Sequence, residues 1–380
     1  MTTETKDPVL VVVELNGGND YLNTVVPYSD PNYHDNRVKL RIGEEEVHKL
    51  DDKVGLHPAM GPLKDVYNRG DMAIVHGVGY ENPSRSHFRS MDIWHTCEPV
   101  KVGDEGWIGR AAQQIDPHGE NPVGTVNIGH GLPRALVAPG APVASVADLS
   151  NYGLFTGFER QAERERMMER FAAMYAPGMG SGPVSDIMEY LSLTGKDAMK
   201  GADILKRTPD QYESSVEYGN DSIAQSLRSV AMIHTADVGS RFFYTTLGSF
   251  DTHGSQLYMH TKLWTEASQA IVDFWDDLRE HDADQNVVML LFSEFGRRVK
   301  ENGEGTDHGS AGVAFAVGPS VAGGMYSEYP NTRVEALLDG DLEPNLDFRG
   351  LYSTILEDWL DLDADSIVNG RFEKPAFIAG

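Results

Sequence analysis

The chain has 380 residues, 40% of them hydrophobic, and a formal net charge of −26 from 58 acidic and 32 basic residues. That charge repels phosphate backbones and anionic bilayers, so it argues against nucleic-acid and membrane partners. The lone cysteine, Cys97, excludes an intrachain disulfide.

The length suits one large domain or two smaller ones; the chain is read as a single domain, 1–380. The first residues are polar and lack the charged and apolar regions of a signal peptide. The chain as given therefore reads as cytoplasmic, or as an exported form whose leader was removed. Val9–Leu15 (VLVVVEL) is an almost unbroken β-branched run that ends at Asn16-Gly17-Gly18-Asn19-Asp20, the pattern of a buried parallel strand feeding a loop. Residues 61–68 read as a short helix, 73–78 as a second strand, and the segment from Ser84 through Met91 and Trp94 as another helix. Residues 158–174, 184–207 and 222–236 show amphipathic helical spacing. No strand stands out across 152–240, which is expected to be a helical insertion or cap, with a Gly/Pro joint at 177–183. A long amphipathic helix over 260–282 runs into the strand Val287–Phe292, and 311–317 completes the set. Helix and strand alternate at both ends of the chain. The fold class is α/β, with a mostly parallel central sheet flanked by helices.

In such sheets ligands gather beyond the carboxyl ends of the strands, and four segments fall there. After the first strand, Asn16 and Asp20 offer oxygens to a cation, although a glycine-rich turn needs no ligand to explain it. After the second, Ser84-Arg85-Ser86-His87 precedes a helix, where one serine can cap the helix and the other attack a tetrahedral centre. Asp251-Thr252-His253 puts a carboxylate and an imidazole two apart; His260, in the following helix, reads as a surface residue. Glu294 leaves the strand Val287–Phe292, Arg297 is placed to clamp an anion, and Asp307-His308-Gly309 opens the next strand. Together these supply the carboxylates, imidazoles, serine and arginine of metal-assisted displacement at a tetrahedral centre.

The order Asn-Gly-Gly-Asn-Asp, Ser-Arg-Ser-His-Phe, Asp-Thr-His, Ser-Glu-Phe-Gly-Arg and Asp-His-Gly resembles the bacterial proteins grouped as domain of unknown function 1501. That family is placed in the alkaline phosphatase-like superfamily, beside sulfatases and cofactor-independent phosphoglycerate mutases. The resemblance covers nearly the whole chain and implies an alkaline phosphatase-like fold and a divalent metal (Zn, Mn, Ca or Mg), one ion or two. It implies hydrolysis of phosphate or sulfate esters, with a small-molecule or glycan anionic ester as substrate. Carried over by position, Asp251, His253 and His308 are ligands of one metal. Glu294, with Asn16 or Asp20, belongs to a second site, and Asp307 is a further candidate ligand. Ser86 is the first candidate nucleophile and Ser84 the second, with His87 and Arg297 beside them. The superfamily commonly has Asp-His where this chain has Glu294-Phe295, so the second site is weakened. Glu81, two residues before Pro83, excludes the sulfatase formylglycine. An altered, non-catalytic member that binds a ligand or partner protein is the alternative.

Overall fold

Every residue of β1 (Val9–Leu15) is buried, because helices cover both faces of the sheet and leave no solvent side for polar alternation. The computed structural model describes residues 6–149 and 197–379, with 166 and 170 between them. The other strands are β2 (Val25–Val26), β3 (His48–Lys49), β4 (Gly55–Leu56), β5 (Met72–Gly79), β6 (Thr125–Ile128), β7 (Ala144–Val146), β8 (Phe242–Leu247), β9 (Val287–Phe292), β10 (Gly312–Val317), β11 (Gly324–Tyr326) and β12 (Leu346–Asp347). The main sheet has nine strands in the order β11-β5-β10-β9-β1-β8-β6-β7, with β12 alongside β5; β2, β4 and β3 form a small separate sheet.

β1 pairs in parallel with both β8 and β9. β10 is antiparallel to both β9 and β5, and it is the one reversed strand of the main sheet among the described residues. That reversal matters for the site. It brings the start of β10 to the same edge as the ends of β1, β5, β8 and β9, so residues before β10 meet residues after the others.

Alternate residues of β1 enter different cores. Val9, Val11, Val13 and Leu15 pack with the helices Gly61–Arg69, Ser222–Thr235 and Gln256–Glu280. Leu10 and Val12 face the core shared with the helices His87–Thr96, Trp107–Ile115 and Phe348–Ser353. On that second face Trp94 lies between Phe292 and Phe348, stacked at centroid distances of 4.8 and 4.5 Å. This sandwich fixes the helix whose first residue is His87.

The strands expected at Val9–Leu15, 73–78, Val287–Phe292 and 311–317 all form, within a residue at their ends. β6 and β7 are too short for a periodic signal, and β8 (FFYTTL) ends in threonines that blurred its apolar run. Of the expected helical insertion, the helix at 158–174, the joint at 177–183 and the start of the helix at 184–207 lie outside the described residues. Residues 197–205 are helical, and Ser222–Thr235 packs in the core beneath β8. Among the described residues no helix is long and apolar enough to cross a membrane.

Candidate metal centre

Four side chains converge at the carboxyl edge of the sheet. Asp251 and His253 come from the loop after β8, His308 from the loop before β10, and His87 from the start of the helix after β5. His308 Nε2 lies 3.1 Å from His87 Nε2, 2.9 Å from His253 Nε2 and 3.1 Å from Asp251 Oδ1. His253 Nε2 is 3.1 Å from Asp251 Oδ1, and His87 Nε2 is 3.5 Å from Asp251 Oδ2.

The other nitrogen of each ring determines what these contacts mean. His308 Nδ1 is 2.8 Å from the Arg85 carbonyl, which only accepts, so Nδ1 carries the proton. His87 Nδ1 donates to the buried Glu294 carboxylate at 2.7 Å, and His253 Nδ1 to Asp307 at 3.1 Å. In the neutral rings all three Nε2 atoms are therefore bare lone pairs. His308 Nε2 faces both His87 Nε2 and His253 Nε2 at hydrogen-bond distance with no hydrogen to share. A cation removes that repulsion. At about 2.0–2.1 Å from each ligand, a tetrahedral zinc sets neighbouring donors about 3.3 Å apart, close to the separations around His308 Nε2; His87, Asp251 and His308 bring three ligand atoms within 4.8 Å of one another. The donor set therefore fits a divalent metal, and each imidazole has the outer acceptor that metal-bound histidines normally have.

The carboxylates behind the rings are themselves held. Glu294 is fully buried and accepts from the backbone N–H groups of Gly17 (2.9 Å) and Gly18 (3.1 Å). Its hydrogen bond raises the pKa of His87. Partial burial alone would raise the Asp251 carboxyl, but Arg297 at 2.6 Å, with His308 and His253, holds it down to about 2. Gly17 has φ +120°, and a Cβ there would sit 2.4 Å from the Asp251 backbone nitrogen, so only glycine lets the two loops touch. Phe295 is 2% exposed and packs against both His87 and His308, with ring centroids 4.8 and 5.1 Å away.

Of the residues singled out in the sequence, Asp251, His253 and His308 lie within 3.1 Å of one another, and His87 meets them through His308. Glu294 and Asp307 stand behind the imidazoles rather than among the donors. Asp20 is turned to a buried pair with Arg37, at 2.5 and 3.0 Å. Asn16 donates its amide to Glu14 at 3.0 Å. Arg297 is no open anion clamp: it is 1% exposed and donates to the carbonyls of Gly17, Gly18, Phe250 and Thr306 as well as to Asp251. It ties three loops together. Ser86 is exposed at the helix start and its side chain makes no capping bond, while Ser84 Oγ accepts from the Ser86 N–H at 3.2 Å. His260, expected at the surface, is 1% exposed and bonds Thr24 and Asn19. The sequence did not signal the part played by Phe295, because a buried ring packed against two imidazoles looks like any core residue.

Solved structures with a similar chain path include a protein in the alkaline phosphatase superfamily from Vibrio parahaemolyticus, at 10% identity, TM-score 0.40, 97% of this chain and 70% of that one. A sulfatase from Pseudoalteromonas sp. matches at 11% identity and TM-score 0.38, over 99% of this chain and 70% of its own. A structure from Bacteroides thetaiotaomicron, described under metabolism of multiple glycosaminoglycans, matches at 12% identity and TM-score 0.42, over 98% and 77%. These likenesses carry no chemistry; that rests on this chain's own residues. No curated protein matches. A family model spans residues 7–369, and the chain belongs to the family it describes, "Protein of unknown function (DUF1501)".

Proposed function

We propose that this protein is a metal-dependent hydrolase of phosphate or sulfate esters. The observation that carries the reading is His308 Nε2 set against His87 Nε2, His253 Nε2 and Asp251, with the Nδ1 of each ring bonded to an acceptor elsewhere. His87, Asp251, His253 and His308 would hold the ion. When bound, a divalent cation supplies charge stabilisation to an ester oxygen.

The chain's own residues do the rest. Glu294, Asp307 and the Arg85 carbonyl fix the imidazole tautomers. Arg297 offsets the Asp251 charge and locks the three loops before substrate arrives, so little reorganisation remains at the moment of reaction. Ser86 is the candidate nucleophile. It is exposed, immediately precedes His87, and follows the residue whose carbonyl orients His308.

Purified protein loaded with zinc or manganese is assayed against phosphate and sulfate monoesters and diesters. Turnover that disappears on chelation and in His308→Ala supports the reading, and loss in Ser86→Ala assigns the nucleophile. Metal binding without turnover on any ester favours a second reading, a metal site that binds a ligand or partner without catalysis. That reading is favoured by the saturation of Arg297 with protein acceptors, which leaves it closed to an anion.

A further inference from the structure

The helix His87–Thr96 turns one face to the metal centre and an adjacent face to a separate groove. This groove is shallow and open to solvent, about 530 Å³, and its lining joins Phe88, Met91 and Val102 to Ser86, His95 and the charged Arg89, Asp92 and Arg134. Phe88 is 92% exposed and Val102 66%. Large apolar side chains presented in a concavity next to a reactive centre are the usual surface of a small-molecule subsite. The charges at its rim are largely cancelled: Asp92 receives Arg89 at 2.5 Å and Arg134 at 2.9 Å.

The far end is a fixed imidazole. His95 Nε2 donates to Glu14 at 2.9 Å and lies 3.1 Å from the Tyr244 hydroxyl, which itself donates to Glu14. Glu14 and Tyr244 are buried. With its Nε2 proton committed to Glu14, His95 has Nδ1 left as an acceptor, and the ring lines the groove. His87 and His95 are eight residues apart in one helix, about 12 Å along its axis.

We propose that this groove is the subsite for the organic part of the ester, and that this part is a flat apolar group, such as an aromatic ring, with a hydroxyl or N–H donor at its distal end. The proposal rests on the metal centre being the reactive site. Phe88, Met91 and Val102 supply the apolar part of the lining, and Asp92, Arg89 and Arg134 are already paired with one another, whereas a sugar needs several free polar partners. Ser86 lies where groove and metal centre meet, so a ring in the groove has its ester end towards the ion.

The test uses 1-naphthol, followed by calorimetry, with galactose as the polar counterpart. Wild type binds naphthol saturably and galactose not at all. Phe88→Ser and Val102→Ser each weaken naphthol binding by about tenfold or more while unfolding at the wild-type temperature. His308→Ala loses metal yet keeps its naphthol affinity. In the loaded enzyme, kcat/KM for 1-naphthyl phosphate or sulfate exceeds that for the corresponding glucose ester by at least about tenfold. Absence of saturable naphthol binding, wild-type affinity in both serine variants, or preference for the glucose ester overturns the proposal. Failure of wild type to bind metal, with naphthol binding still sensitive to Phe88, instead sinks the reading of the metal centre and leaves the aromatic groove standing.

Discussion

Glu294 is fully buried two residues beyond the end of β9. A carboxylate leaving a strand at the ligand-binding edge pointed to a metal ligand. The structure gives its oxygens to the Gly17 and Gly18 N–H groups and to His87. Glu294→Gln keeps the shape but puts an amide donor against those N–H groups and weakens the hold on His87. Metal affinity, measured by competition with a chromophoric chelator, should fall about 10- to 100-fold, whereas affinity equal to wild type rules out this orienting role. Gly17→Ala forces a Cβ into the backbone of Asp251 at a φ of +120°. It should cost on the order of 3 kcal/mol in urea unfolding and reduce metal uptake as well. The residue types at the centre were legible because histidines and carboxylates are scarce at strand ends. Their division into donors and outer acceptors was not, because it depends on which atoms face inward.

At the scale of elements, the centre depends on the helix His87–Thr96 keeping its register against the sheet. Trp94, seven residues beyond His87, is its anchor between Phe292 and Phe348. Trp94→Ala leaves a large cavity and should lower unfolding free energy by roughly 3–5 kcal/mol. A loss under about 1 kcal/mol in chemical denaturation contradicts the anchoring role. The Asp20–Arg37 pair acts similarly in the loop after β1, where Arg37 also donates to the carbonyls of Val299 (2.7 Å) and Arg298 (2.8 Å). Arg37→Met leaves Asp20 buried without its partner and should cost roughly 3–5 kcal/mol. Strands such as Val287–Phe292 were plain in the sequence because burial on both faces makes them continuously apolar. β8 was not, although it carries the Asp251 loop, since Thr245 and Thr246 interrupt its run.

For the whole molecule, the pattern of buried histidines sets a pH response. Burial lowers the pKa of His57 to about 3 and of His76 and His260 to about 4. Each takes up a proton near its ordinary value of 6.5 once unfolded but stays neutral in the fold. Below pH 6.5 the unfolded chain therefore binds more protons, and stability falls on acidification until the folded values are reached. Each such histidine contributes a slope of about 1.4 kcal/mol per pH unit between roughly pH 6 and 4.5. His76, which faces the Tyr21 hydroxyl at 2.8 Å and the ring of Tyr329, is the simplest to isolate. His76→Gln should flatten the measured slope by about that amount, and an unchanged slope contradicts the assignment. The α/β architecture was legible from the alternation of elements. The reversed β10 was not, because a strand's direction leaves no mark on its own residues. That reversal is what delivers His308 to Asp251.

The proposed centre requires one cation shared by side chains drawn from three loops. The most direct measurement is an anomalous diffraction map from crystals grown with zinc or manganese. The expected result is a single strong peak about 2.0–2.3 Å from His87 Nε2, His253 Nε2, His308 Nε2 and an Asp251 oxygen. A well-ordered structure under ample metal with no anomalous peak at these four side chains, or with the ion bound elsewhere, contradicts it.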